Sequence, residues 1–303
     1  MKLIMGKILV VGSSNTDMVV KSPKIPRPGE TVLGGEFFSF AGGKGANQAV
    51  AAAKLGGAVT FLAKLGADEL GKNAIKGFEK VGINTNSILI EPNSHSGVAL
   101  ILVDSLGENC ISVASGANNF ISPQDIVDAK SIIQESRFVL TQLEIPMEAV
   151  EKLGEMAEQL EVAMVLNPAP ARELSGLLFK RLYLITPNET EAEMLTGIKV
   201  EDENSAFSAA KFLKEKGVKN VIITMGAKGA FFLTDNESGL IPAEKVKVVD
   251  TTAAGDTFNG ALVVALCEGK DIKDAIKFAN RAAAISVTIM GAQDSQPFRN
   301  QLD

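Results

Sequence analysis

The chain has no tryptophan, one tyrosine, one histidine and two cysteines in 303 residues, and each shortage removes a class of chemistry. His95 lies among Asn93, Ser94, Ser96 and Gly97, a turn composition that reads as an exposed loop, so a Ser-His or Cys-His nucleophile pair has almost nowhere to form. Cys110 and Cys267 are too few and too far apart for a disulfide framework or a zinc site, and read as reduced, small hydrophobes. No run is rich in Lys or Arg, and 30 basic against 36 acidic residues give a net charge of −6. Nucleic acid and anionic membrane are poor partners for such a chain. No apolar stretch approaches the roughly 20 residues that span a bilayer as a helix. The opening residues Met1 to Val11 loosely resemble a signal peptide, but Gly6 and Lys7 interrupt the apolar run and Asn15 and Asp17 follow at once. They read as a first buried strand in a cytoplasmic enzyme. Two phosphate-binding signatures are missing as well. Lys44 is followed by Gly45 rather than Ser or Thr, and the turn Gly12-Ser13-Ser14-Asn15 holds no Gly-x-Gly-x-x-Gly, which disfavours a P-loop NTPase and a nicotinamide dehydrogenase.

What is present is an ordinary globular balance, 46% hydrophobic and 22% charged, over a length that can bury a substantial core as one large domain. Short β-branched runs at Lys7 to Val11, Val59 to Leu65, Arg137 to Thr141, Val162 to Leu166, Leu182 to Thr186 and Asn220 to Thr224 alternate with helical patterns near 44 to 56, 69 to 81, 147 to 160, 204 to 216, 257 to 268 and 272 to 288. This is the βαβ rhythm of an α/β fold with a mostly parallel sheet, in which ligands collect at the carboxyl ends of the strands. Residues 17 to 40 and 97 to 114 break the rhythm and predict a small separate sheet. In the second of these, Val98, Leu100 and Leu102 point one way and Ala99, Ile101 and Val103 the other. Either one face covers a ligand cleft while the other meets a second subunit, or the strand is buried in the main core; periodicity alone does not choose.

The segment Thr251-Thr-Ala-Ala-Gly-Asp256-Thr-Phe-Asn-Gly260 sets one acid behind small residues where a helix begins. Free first-turn N–H groups at the positive end of a helix dipole suit phosphate or a developing oxyanion, and Asp256 beside them would accept a proton from a hydroxyl. At a helix N-terminus its pKa is expected to be depressed; the alternative is that Asp256 only complements the helix end. Asn15 and Asp17 follow the first strand and offer an amide and a carboxylate to hydroxyls. Ala41-Gly42-Gly43-Lys44-Gly45-Ala46-Asn47 opens a helix with glycines that let a ligand lie against backbone, or simply with turn chemistry. Asn188 and Glu191, in Thr186-Pro-Asn-Glu-Thr-Glu191, form a capping box or face a hydrated Mg²⁺ on a nucleotide phosphate. Thr224-Met-Gly226-Ala-Lys228-Gly229 is a tight turn or a nucleotide cradle.

Together these segments resemble the ribokinase family of carbohydrate kinases over essentially the whole chain, Asn15 to Ser295. Gly42 to Asn47 is similar to that family's first signature, Asp250 to Phe258 to its second, and Asn188-x-x-Glu191 stands between them. The resemblance implies a three-layer α/β/α fold with a small β lid that pairs across a homodimer, and ATP-dependent phosphorylation of the 5-hydroxyl of D-ribose. Carried over by position, Asp256 is the base, and the N–H groups of Ala253, Ala254 and Gly255 form the anion hole. Asn15, Asp17, Gly43, Lys44, Asn47 and Glu144 contact the sugar. Asn188, Thr224, Gly226, Lys228, Gly229 and Asn280 meet the nucleotide, with Glu191 near Mg²⁺. A monovalent cation, usually K⁺, is implied at Asp250, Thr252, Ser286, Ile289, Gly291 and Ser295. There the chain departs from the family, with Ile289 and Met290 where a basic pair is common and Ser286 for a more usual alanine. Backbone carbonyls survive such changes, so K⁺ activation is expected to persist. The competing readings are a fructokinase-like or adenosine kinase-like enzyme, the latter disfavoured by the scarcity of aromatics for stacking, and a sugar or nucleotide sensor without catalysis.

Overall fold

A computed structural model describes residues 6–302; Met1 to Met5, the start of the signal-like stretch, lie outside them. The chain opens with β1 (Lys7–Val11) and moves at once into β2 (Asn15–Lys21) and β3 (Glu36–Gly42). Next come α1 (Lys44–Lys54), β4 (Ala58–Leu62), β5 (Lys64–Gly66), α2 (Glu69–Lys80) and β6 (Leu89–Glu91), then the hairpin β7 (Gly97–Val103) and β8 (Asn109–Ala114). Two short helices, α3 (Pro123–Asp128) and α4 (Lys130–Glu135), precede β9 (Ser136–Thr141), α5 (Met147–Gln159), β10 (Ala163–Leu166), α6 (Gly176–Arg181) and β11 (Leu184–Ile185). The rest runs α7 (Glu189–Thr196), α8 (Glu203–Glu215), β12 (Asn220–Thr224), β13 (Ala230–Leu233), β14 (Ser238–Ile241), α9 (Ala254–Cys267) and α10 (Ile272–Ser286).

All six strands read from the sequence stand in one eight-stranded sheet of order β14-β13-β12-β11-β10-β9-β1-β4, parallel except at β13 and β14. The run from Val59 to Leu65 divides into β4 and β5, and β13, β14, α3, α4 and α6 are additions that the apolar rhythm did not mark. Alternation in the strands splits the core in two, as a strand covered on both faces requires. Ile8 and Val10 join the helices α1, α2, α9 and α10 in one apolar cluster, whereas Leu9 and Val11 join α3 to α8 in the other. The result is the three-layer α/β/α sandwich.

Strands β3-β2-β7-β8 form a separate four-stranded sheet, so the hairpin is not a buried strand of the main core. Registers put Asp17, Val19, Phe38, Phe40, Ala99, Ile101, Ile111 and Val113 on one face and Met18, Val20, Phe37, Leu100 and Leu102 on the other. Exposed apolar side chains remain on both, among them Ile111 and Val113 on the first and Phe37 and Leu100 on the second. Cys110, in β8, is exposed and is therefore no core hydrophobe, while Cys267 is buried; both are free. His95 sits in an exposed loop, as its neighbours predict.

Helix α9 is buried on all sides and crosses α1 at Gly260, where an added Cβ would lie 2.7 Å from the Cβ of Ala51 and 2.7 Å from the carbonyl of Gln48. Gly260→Ala is expected to cost about 1–3 kcal/mol through overpacking, read as a lower urea midpoint at unchanged m.

Candidate active site

The loops that leave β1, β9, β10, β11 and β12 all emerge at the carboxyl edge of the main sheet, and α1 and α9 begin above it. At α9 the backbone turns through Ala253, a non-glycine residue at φ 57°, and no side chain caps the helix. Left-handed residues other than glycine are costly and concentrate at functional turns; a turn of this kind gathers successive N–H groups toward one point. The N–H of Ala254 reaches the Thr251 carbonyl at 3.2 Å. Those of Ala253 and Gly255 meet no partner within the described chain, and a Cβ on Gly255 would point into open space.

Asp256, one residue on, is buried and faces α1. Its Oδ2 accepts from Asn47 Nδ2 at 3.0 Å and its Oδ1 from Gln48 Nε2 at 2.9 Å. Sequence reasoning gives this acid a depressed pKa, and the structure reverses that expectation. Burial pushes it up, against the pull of Lys44 and the two amides. The carboxylate is spent on α1 rather than on the N–H groups of its own helix, so the capping reading fails.

At the start of α1 the structure shows the turn chemistry that is one of its two readings. Its first N–H groups are taken by the chain itself: Lys44 N donates to Glu144 Oε2 at 3.0 Å, Gly45 N to Ser13 Oγ at 3.3 Å, and Ala46 N to the Ser13 carbonyl at 2.8 Å. Glycines 43 and 45 serve this approach. A Cβ on Gly43, which sits at φ 88°, would lie 2.6 Å from Asn15 N, and one on Gly45 2.6 Å from Ser13 N. Glu144 is further held by Ser13 Oγ at 2.5 Å. A side chain on Gly42 would overlap the Asp17 carboxylate. Burial, with Glu144 and Asp256 nearby, pushes Asp17 up to about 6. Among these acids stands the Lys44 amine; burial lowers its pKa, but Asp256, Glu144 and Glu191 outweigh that and raise it. Asn15 Oδ1 accepts from Asn118 Nδ2 at 2.8 Å, which leaves its own amide N–H₂ as the free end.

Asn188 and Glu191 do form the capping box at α7, at 2.8 and 2.9 Å, and both also line a cavity of about 220 Å³ with Lys44, Ala253, Gly255 and Asp256. The two readings are compatible, since Glu191 caps through Oε2 and its other oxygen remains. Burial raises the Glu191 pKa, opposed by the Asn188 N–H and Lys44. A second cavity, about 530 Å³, shares Asn188, Thr224, Ala254 and Gly255 with the first and extends over Gly226, Gly229, Val246, Val248, Asn280 and Val287. Its walls are mainly aliphatic. Lys228 does not line it; its amine turns away to the Glu201 carbonyl at 2.5 Å. Asn280 Nδ2 is engaged by the carbonyls of Ile241 and Pro242 at 3.1 and 3.2 Å.

Asp250 ties two loops together. Oδ1 accepts from Thr252 N and Oγ1 at 2.9 and 2.6 Å, and Oδ2 from Gly291 N at 2.9 Å. Burial would raise its pKa, but these donors outweigh it and hold the group ionised below the usual range. Ser286 and Ser295 are buried with hydroxyls bonded to Ala283 and Ala292 carbonyls at 2.9 and 2.8 Å, whereas Ile289 and Met290 project outward.

Sequence reasoning passed over a chain of buried polar groups beneath the acid: the amides of Gln142, Gln48 and Asn167, the carbonyl and hydroxyl of Thr186, and the amide of Asn259, which donates from Nδ2 to the Gly255 carbonyl at 2.8 Å. The available signal was position. Gln142, Asn167 and Thr186 are each the first polar residue after an apolar strand.

Comparison with known proteins places this geometry. The model of the pfkB family carbohydrate kinases matches residues 5–299. A ribokinase of Haemophilus influenzae is 46% identical over 97% of this chain and 96% of its own; a deoxyribokinase of Salmonella typhi is 40% identical over 98% and 97%. The structure of Arabidopsis thaliana ribokinase complexed with ribose and ATP superposes with a TM-score of 0.93 at 32% identity, covering 99% of this chain and 98% of that one. With the acid, the turn before it and the paired cavities in place, the chain belongs to the pfkB family of carbohydrate kinases.

Proposed function

We propose that the protein is an ATP-dependent ribokinase that transfers the γ-phosphoryl group of ATP to the 5-hydroxyl of D-ribose. The observation that carries this reading is the position of Asp256, buried and amide-held, where a small polar cavity meets a larger apolar one beside unpartnered N–H groups. The apolar cavity suits a nucleotide, and the polar one, lined by Lys44, Asn188, Glu191 and the Ala253 to Gly255 turn, suits the phosphoryl group passing to a hydroxyl held at Asp256. In the transfer, the hydroxyl oxygen bonds to phosphorus, the bond to ADP breaks, and the hydroxyl proton goes to Asp256. Its raised pKa makes it a better acceptor than an exposed aspartate. The loose transition state of phosphoryl transfer asks mainly for positioning and charge neutralisation, which Lys44 and the Ala253 to Gly255 turn supply. Asn15, Asp17, Gly43, Asn47 and Glu144 form the sugar end, where Asp17 and the free Glu144 oxygen accept from hydroxyls and Asn15 donates. Asn188, Thr224, Gly226, Gly229 and Asn280 form the nucleotide end; the engagement of Lys228 elsewhere argues for leaving it out.

Glu191 and Asn188 fit a hydrated Mg²⁺ carried by the nucleotide. Among the described residues no cluster of three His, Cys, Asp or Glu forms a protein cage, so the ion would depend on phosphate oxygens and water for its remaining ligands. It would neutralise phosphate charge. The loops of Asp250, Thr252, Ser286, Ile289, Gly291 and Ser295 fit K⁺ through oxygen donors, mostly backbone carbonyls; Asp250, bonded to Thr252 and Gly291, holds their shape. The outer apolar face of the small sheet, with Phe37, Leu100 and Leu102, supports a homodimer through this lid, to be tested by hydrodynamic mass. Exposed, free Cys110 suits the reducing cytoplasm.

A coupled ADP-release assay over D-ribose, 2-deoxyribose, fructose and adenosine, with and without K⁺, tests the assignment; ribose is expected to give the highest kcat/KM, and silence with every sugar would sink it. Rates are expected to be higher in K⁺ than in Na⁺ or a bulky organic cation. Asp256→Asn is expected to lower kcat by on the order of 10² to 10⁴. Because the Asp17 pKa is raised in the folded state, its ionisation weighs against the fold above about pH 6. Asp17→Asn should therefore raise the Tm of the ligand-free protein at pH 8. That gain should shrink as pH falls through 6 toward the unfolded value, while KM for ribose rises in the variant.

A further inference from the structure

We propose that Gln48 is a positioning residue for phosphoryl transfer, an amide locked in one orientation so that its N–H₂ always holds Asp256 Oδ1. The inference rests on Asp256 being the base. A glutamine amide fits its density of neighbours either way round, and only its partners decide which end faces the acid. Here the decision starts at a backbone carbonyl, which can only accept. Asn167 Nδ2 donates to the Thr186 carbonyl at 3.1 Å, so Asn167 Oδ1 must face Gln48. Gln48 Nε2 donates to that oxygen at 3.0 Å and to Asp256 Oδ1 at 2.9 Å. Gln48 Oε1 then faces the other way and accepts from Gln142 Nε2 at 2.5 Å. Reversing Gln48 would set its oxygen against two acceptors.

A second observation shows that this polarity is maintained at a cost. Gln142 Oε1, at the end of the chain, is buried with no partner among the described residues, as is Gln296 Oε1, and a buried acceptor left unsatisfied is costly. Gln48, Gln142 and Asn167 are all buried, so water does not compete for these bonds. The neighbours of Asp256 from other elements are Lys44 of α1, Glu144 after β9, Asp17 of the small sheet and Glu191 of α7. None of them changes when Gln48 is replaced.

Wild-type protein is assayed first, and absence of ribose-dependent ADP release would strike at the sugar-kinase reading itself. Given an active wild type, Gln48→Met keeps the volume and loses the amide. We expect kcat to fall on the order of 10²-fold, the cost of a mispositioned reacting group, with ribose KM within about threefold. The acid limb of the kcat profile should move to higher pH, since the ionised form of Asp256 loses a donor. Gln142→Met touches nothing on Asp256 and should show a smaller loss of the same kind. The double variant should be no worse than Gln48→Met, because both act through one bond. Gln48→Glu, isosteric, should move the acid limb further and carries the test with Gln142→Met if Gln48→Met does not fold. Native kcat in a folded Gln48 variant, an unmoved acid limb, or independent losses in the double variant would each overturn the proposal.

Discussion

Helices α1 and α9 touch where residue 260 has no side chain, and the site depends on that contact. With Gly260 against Ala51 and the Gln48 carbonyl, the first turn of α1 comes within hydrogen-bonding distance of the first turn of α9. Asn47 and Gln48 then reach both oxygens of Asp256. A wider crossing would leave the acid buried without donors, and an unpaired buried carboxylate neutralises itself by taking up a proton. The glycines at 43 and 45 set the other side of α1 against the loop of Ser13 to Asn15. Two helix starts and one strand end are thus fixed to one another through backbone contacts that any side chain would break.

That packing concentrates charge. Glu144, Glu191 and Asp256 converge on Lys44, with Asp17 beside Glu144 and Asp256; burial first, and the neighbouring acids second, raise the pKa values of Asp17, Glu191 and Asp256. The acids avoid mutual collapse in different ways. Glu144 is held by the Lys44 N–H at the start of α1 and by the Ser13 hydroxyl, Glu191 by its capping box, and Asp256 by two amides. Asp17 has no such set among the described residues, and burial, with Glu144 and Asp256 nearby, pushes it up to about 6. What Asp17 lacks is a hydroxyl donor.

The sheet and its major helices were legible in the sequence because a doubly covered strand writes itself as an apolar run, as in Lys7 to Val11 and Asn220 to Thr224. Short elements such as α3, α4, α6 and the antiparallel pair β13 and β14 carry too few residues to show a period. The chemical segments were legible as well, since small residues around Asp256 and the glycines before Asn47 have few other uses. Direction of titration was not. A helix N-terminus lowers an acid's pKa, but burial beneath a second helix raises it, and burial between residues 208 positions apart leaves no local trace. Gln48 was hidden for a related reason: inside a helical pattern, a glutamine is also a common helix former.

The same long-range logic explains why the small sheet could be recognised as separate while its partners stayed open. Strand β2 continues almost directly from β1, so Asp17 is carried from the edge of the main sheet onto the smaller one. Its neighbours on that face, Phe38, Phe40 and Ile101, are apolar and bring no donor. A face of this kind covers a polar ligand by excluding water around it, leaving Asp17 and Asn15, two residues apart on β2, to meet the hydroxyls. The opposite face carries no such acid among the described residues, yet remains apolar through Phe37 and Leu100, both exposed. Apolar surface on both sides of four strands is costly in water unless each side has something to cover, and in this fold only one side has the active site.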